Sequence, residues 1–170
     1  IKSSAASDVY KRQIYYVSYI MTGAVMNWAD TAELYWKFVG DGWSADSDDV
    51  EMEVYFANAA AGTAAVKGDN FRAWGHGPLT GDVSLDADEP MVTYTIPCVH
   101  QGEFAEARIA FPSDWVPQLA ASGEERMSTI LGEEKEWADE ANARRAHARM
   151  IANVLAVLSV VAAVAFTGTI

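Results

Sequence analysis

Cysteine is nearly absent from this chain: Cys98 stands alone in 170 residues. A single thiol excludes an intramolecular disulfide framework and argues against a cysteine-based zinc cluster. Basic residues are also scarce, 12 against 24 acidic ones, for a net charge of −12. Phosphate binding needs clustered Lys and Arg, so nucleic acid is not an expected partner. No G-x-S-x-G or H-E-x-x-H motif occurs and no Cys-His arrangement accompanies His76, and with them go the nucleophile and metalloprotease signatures that such spacings carry. Hydrophobic residues reach 51%, too many for a disordered chain and enough for a core.

Charge is missing altogether from Met150 to Ile170. Those 21 residues would extend about 31 Å as a helix, close to the thickness of a bilayer's hydrocarbon. Ile151, Val154, Leu155, Val157, Leu158, Val160, Val161, Val164 and Phe166 would together favour insertion by roughly 3–5 kcal/mol. A transmembrane helix over 150–170 is therefore expected, with the lipid bilayer as partner. Ala152, Ala156, Ser159 and Ala163 fall on one face of that helix. Such a small-residue stripe would let another transmembrane helix approach closely.

The opposite end reads differently. Residues 1–13, IKSSAASDVYKRQ, lack the apolar stretch of a signal peptide. They resemble translated sequencing adapter and are set aside as an expected artefact. They hold three of the basic residues and one acidic residue, so 9 basic and 23 acidic remain, a net of −14. A preceding signal and a following C-terminal region are expected to be missing from a fragment of this kind.

Between these ends, apolar and polar residues alternate. Ala32, Leu34, Trp36 and Phe38 share one face, and Thr31, Glu33, Tyr35 and Lys37 the other. Val50, Met52, Val54 and Phe56 oppose Glu51, Glu53 and Tyr55. Ala105, Ala107, Ile109 and Phe111 oppose Phe104, Glu106 and Arg108, and Pro112 ends that run. Residues 14–22, 70–74, 82–85 and 91–96 also read as strands. Gly-rich turn signals separate them. Five to seven short strands with no long helix between them predict a mainly β fold, an immunoglobulin-like antiparallel β-sandwich at 14–112. The expected core is Leu34, Trp36, Phe38, Val54, Phe56, Ile109 and Phe111. From 113 to 149 the sequence predicts a linker and juxtamembrane helix. Ser122 and Glu125 fit a capping box there, and Arg144, Arg145 and Arg149 trail.

Few residues invite chemistry. His76 stands between two glycines in Trp74-Gly75-His76-Gly77-Pro78, where an accessible imidazole would serve as base or ligand. The competing reading is a turn whose glycines supply positive φ. The stretch Asp41–Asp49, with Asp46 and Asp48, offers oxygen ligands for Ca²⁺ but lacks the EF-hand spacing. Asp82, Asp86, Asp88 and Glu89 form a second acidic loop that would join it in space. His100 and His147 have no spacing that pairs them with His76. Trp43 is a candidate carbohydrate platform, while Trp115 and Trp137 are candidate interfacial anchors. The candidate functional surface is thus His76, Trp43, Asp46 and Asp48. No catalytic residue, metal ligand or cofactor is assigned.

Three strings carry a resemblance: Thr31-Ala32-Glu33-Leu34-Tyr35-Trp36-Lys37-Phe38-Val39-Gly40-Asp41-Gly42-Trp43, Trp74-Gly75-His76-Gly77-Pro78-Leu79-Thr80-Gly81, and Gly102-Glu103-Phe104-Ala105-Glu106-Ala107-Arg108-Ile109-Ala110-Phe111-Pro112. In this order they resemble bacterial predicted membrane proteins catalogued as domain of unknown function 2207, over residues 14–170. The resemblance implies an exported β-domain, a Glu/Ala/Arg-rich connector and a membrane helix. It carries no established reaction. The arginines before the apolar run argue for a cytoplasmic flank by the positive-inside rule; the resemblance argues for the outside, which is the reading adopted. The expectation is a membrane-anchored extracytoplasmic β-module, not an enzyme, with a binding or structural role at the cell envelope. The alternative is an envelope hydrolase or a metal- or carbohydrate-binding domain using His76 and nearby acidic or aromatic residues.

Overall fold

The computed structural model describes residues 14–167, with side chains described as far as 159. The proposed artefact at 1–13 lies outside the described residues. Seven strands and one long helix follow in order: β1 Val25–Asn27, β2 Ala32–Val39, β3 Ser47–Tyr55, β4 Arg72–His76, β5 Asp82–Asp86, β6 Met91–Val99, β7 Ala105–Phe111 and α1 Met127–Thr167. They form two antiparallel sheets, ordered β1-β2-β7-β4 and β3-β6-β5.

The alternation read from the sequence is what builds the core. Ala32, Phe71, Ala107, Ile109 and Phe111 meet Val92 and Tyr94 of the second sheet, with Leu34, Phe38, Met52, Val54 and Phe56 packed around them. Burial of these apolar faces supplies the main driving force. Trp115, expected as an interfacial anchor, is instead 2% exposed. It stacks on Phe111 and meets Phe56 and Phe71 at 5.2 and 5.3 Å, while its indole N–H donates to the Thr63 carbonyl at 2.8 Å. That buried hydrogen bond explains how a tryptophan fits inside. Trp36 belongs to the inward face but is only half-buried and stays outside the core cluster. A bulge at Phe38 shifts the β2–β7 register after Lys37, so Phe38 and Val39 both turn inward.

Several expectations need correction. Residues 14–22 do not form a strand; they carry no regular secondary structure, with a bend at Thr22, and their side chains are exposed. β1 starts at Val25 and is short, and the chain at 119–124 runs beside it. Ser122 N–H donates to Asn27 O, and Ala29 N–H to Glu124 O, both at 2.8 Å, so this sheet edge is covered. The strand order also departs from the immunoglobulin pattern. A constant domain pairs its strands A-B-E-D and C-F-G, whereas here the fifth and seventh strands have exchanged sheets.

The capping box does not form. Ser122 Oγ accepts the Glu124 amide at 3.3 Å, and α1 begins five residues after Ser122. Its first amides are capped from afar: Asp30 Oδ1 accepts Arg126 N–H at 2.8 Å and Oδ2 accepts Met127 N–H at 3.1 Å. A carboxylate also suits the positive end of the helix dipole. α1 then runs unbroken through Gly132 to Thr167. Among the described residues no helix is long and apolar enough to cross a membrane. The first part of α1, to Arg149, is densely charged. Ser159, on the small-residue stripe, turns its hydroxyl back to the Ala156 carbonyl at 2.7 Å.

Candidate functional site

The site grows from the outer face of the first sheet. Alternation places Glu33, Tyr35 and Lys37 of β2 on that face. Antiparallel pairing sets Tyr35 opposite Arg108 and Lys37 opposite Glu106. On the other side of β7, Trp74 lies opposite Arg108 and His76 opposite Glu106. A solvent-facing sheet would leave this polar face in water. Instead the start of α1 lies across it. Ile130 and Glu134 are buried, and Met127, Glu133 and Ala141 are half-buried, along one helical stripe.

Arg108 is the joint between sheet and helix. Its side chain is 1% exposed. Its Nε donates to Glu33 Oε1 at 2.6 Å. Its two terminal nitrogens reach Glu133 Oε2 at 2.8 Å and Glu134 Oε1 at 3.1 Å. Burial works against the guanidinium charge, but the three carboxylates outweigh it and push its pKa up. Tyr35 and Trp137 flank it, ring centroids 5.2 and 5.7 Å from the guanidinium carbon. Trp28 N–H holds the second oxygen of Glu33 at 3.0 Å, and Arg126 pairs with Glu133 at 3.1 Å. A planar, permanently charged fork is the side chain suited to three carboxylates at once.

His76 sits at the edge of this network, at the end of β4 and not in a turn. Its Nε2 lies 3.3 Å from Glu134 Oε1, yet the angle forms no hydrogen bond and the nitrogen has no other hydrogen-bond partner among the described residues. Trp137 packs edge-on at 4.6 Å and Tyr35 at 6.1 Å. Gly77, which follows, has φ 141, and any side chain there would strike the Phe104 carbonyl. The glycine lets β4 leave the sheet beside β7.

Above His76 the helix and sheet diverge into an open groove of about 740 Å³. Tyr35, Trp74, His76 and Trp137 line it, and Arg144 and Arg145 stand at its far end. Arg145 reaches toward the Leu79 carbonyl at 3.5 Å. Tyr35 donates to Glu106 at 2.9 Å; burial first, and then that carboxylate, push its phenol pKa up to about 12.

The other sequence candidates lie elsewhere. Trp43 is 63% exposed, in the loop between β2 and β3. The two acidic loops act separately. Asp86 Oδ1 accepts the amides of Asp88 and Glu89 at 2.9 and 3.1 Å, whereas Asp46 turns toward His100. Asp48 is paired opposite Cys98 across β3 and β6. The Gln101 amide, then His100, lower the pKa of Asp46, and Asp46 in turn raises that of His100. The Cys98 thiol is pushed up to about 11, first by its hydrogen bond to Asp48. Among the described residues the one cluster of three metal-ligand side chains is Asp46, Cys98 and His100; His76 is not in it.

Sequence reasoning singled out His76 but missed Arg108, Glu33, Glu133 and Glu134. The signal available was a lone arginine amid alternating strand residues, against a helix carrying adjacent glutamates. No curated protein and no solved structure matches the chain. Residues 2–111 match the family model described as the predicted membrane protein (DUF2207) N-terminal domain, and the chain belongs to that family.

Proposed function

We propose that the chain is a membrane-anchored extracytoplasmic module in which the β-domain and its helix act as one rigid body, with a binding or structural role at the cell envelope. One observation carries this reading: α1 is locked to the sheet through buried Arg108 and continues without a break into the apolar run. A flexible tether needs no such joint. A continuous helix transmits the orientation of the domain to whatever follows it. The apolar run supplies the anchor, continuing from Met150 beyond the side chains described. The family's description as predicted membrane proteins supports a membrane anchor.

The test moves the chain's one cysteine to an exposed strand position, Ser84→Cys in a Cys98→Ser background. The variant is expressed in cells as the full chain behind an export signal and labelled with a membrane-impermeant thiol reagent. The expected result is labelling in intact cells and retention of the protein in membranes after alkaline extraction. Labelling only after permeabilisation, or release by alkali, would overturn the reading.

A second reading is favoured by the groove. Its aromatic walls and terminal arginines suit an envelope carbohydrate with an acidic substituent, because flat apolar ring faces pack on sugars while the guanidinium groups pair with the carboxylate. Quenching or enhancement of Trp137 fluorescence by acidic oligosaccharides, lost in Trp137→Phe, would support it.

A further inference from the structure

Away from the groove, the start of β3 and the end of β6 bring together three side chains of different chemistry. His100 Nδ1 lies 3.1 Å from Asp46 Oδ2 and 3.5 Å from Cys98 Sγ. All three ligand atoms fall within 4.8 Å of one another. A tetrahedral zinc ion, about 2.3 Å from sulfur and about 2.0 Å from nitrogen and oxygen, separates its sulfur and nitrogen ligands by about 3.6 Å and its nitrogen and oxygen ligands by about 3.3 Å. The two separations in the structure match these edges to within a few tenths of an ångström.

The surroundings hold the donors in place. Gln101 N–H donates to Asp46 Oδ1 at 2.8 Å, leaving Oδ2 toward His100. Glu103 accepts the His100 amide at 3.0 Å, and a turn closed by Glu103 N–H to His100 O at 2.9 Å places the imidazole. Gly102, at φ 80, makes that turn possible. Asp48, opposite Cys98 in the ladder, supplies a further carboxylate. Such supporting hydrogen bonds orient ligands in metal sites.

We propose that Asp46, Cys98 and His100 bind a divalent transition-metal ion of the zinc class, with Asp48 or water completing the coordination. Sulfur, imidazole and carboxylate together suit zinc and its neighbours and do not suit Ca²⁺ or Mg²⁺, which take oxygen alone. The sequence offered Asp46 and Asp48 only as oxygen ligands of the Ca²⁺ type and assigned no metal site. The strand pairing changes the donor set and with it the metal. On binding, the Cys98 S–H bond is broken, its proton passes to solvent and the sulfur bonds to the ion. Two of the groove's lining residues, Gly102 and Glu103, belong to the turn that carries His100. A bound ion would therefore fix one rim of that groove.

The experiment titrates the full-length chain with Co²⁺ under a non-thiol reductant and then displaces the cobalt with Zn²⁺. Expected are a thiolate-to-cobalt charge-transfer band, saturation at one ion per chain and displacement by zinc. His100→Ala and Asp46→Asn should each weaken cobalt binding at least about tenfold, while Asp88→Asn leaves it unchanged. His100→Gln serves if His100→Ala fails to fold. Absence of the band, or affinity unmoved by the loss of His100 and Asp46, would overturn the site. These readouts need no membrane, so they stand or fall apart from the topology test.

Discussion

Arg108 shows how one side chain can decide an architecture. Removing it leaves Glu33 and Glu134, 6% and 5% exposed, without the guanidinium that pairs with both. Arg108→Ala is expected to cost about 3–5 kcal/mol, since breaking a buried pair strands the remaining charges; denaturant midpoints measure it. Tyr35 makes a pH prediction in the same network. The folded state holds its proton up to about 12, against 10.0 for an ordinary phenol. Its contribution to stability is complete below pH 10 and is lost as pH rises toward 12. Phenolate absorbance should lose one late-titrating tyrosine in Tyr35→Phe, while buried Tyr94 and Glu53-bonded Tyr55, whose phenols are also pushed up, still titrate late. In Glu106→Gln the Tyr35 midpoint should fall but stay above 10, because burial is the larger cause and remains. An unmoved midpoint would mean that the carboxylate plays no part.

Among the elements, the helix start is the least local. Its cap comes from Asp30, nearly a hundred residues earlier. Asp30→Ala should destabilise the protein by about 0.5–2 kcal/mol, with faster hydrogen exchange confined to the first turn of α1. Uniform acceleration across the sheets would show a different role for Asp30. Strands of six or more residues were legible because alternation repeats several times, as in 31–38 and 103–111. Residues 14–22 were misread because their apolar content resembles a strand, while nothing in a local pattern says whether a partner exists. The helix cover was hidden for a related reason. Its docking stripe mixes Ile130 and Trp137 with Glu133 and Glu134, and inward-facing acids look like a solvated face until Arg108 is placed beneath them. Among the site residues, His76 was visible as a histidine between glycines. The metal-ligand cluster was not, because Asp46 and His100 meet only through the pairing of β3 with β6.

At the scale of the whole molecule, the packing defines where the rigid body ends. Ala141 is the last half-buried residue of α1, and the side chains described beyond it are exposed. The nine residues from there to Met150 rise about 14 Å as a helix, and within them Arg145 still reaches the Leu79 carbonyl at 3.5 Å, so the helix passes the edge of the β-domain before the apolar run begins. Arg144, Arg145 and Arg149 occupy the interval, while the chain as a whole carries a net charge of −12. An anionic bilayer surface would repel the domain and attract this short basic collar, which favours an upright helix. Spin labels at Ser84→Cys and Leu155→Cys, in a Cys98→Ser background, should give a single narrow distance distribution in bilayers. Ala143→Pro breaks the helix just past the docked stripe, at about 3 kcal/mol of helix stability. It should broaden that distribution while leaving the unfolding midpoint of the β-domain unchanged, because every contact that holds helix to sheet through Arg108 lies before residue 143. A broad distribution in the unbroken chain would show that the domain moves freely on its anchor, and the rigid coupling proposed here would have to be abandoned.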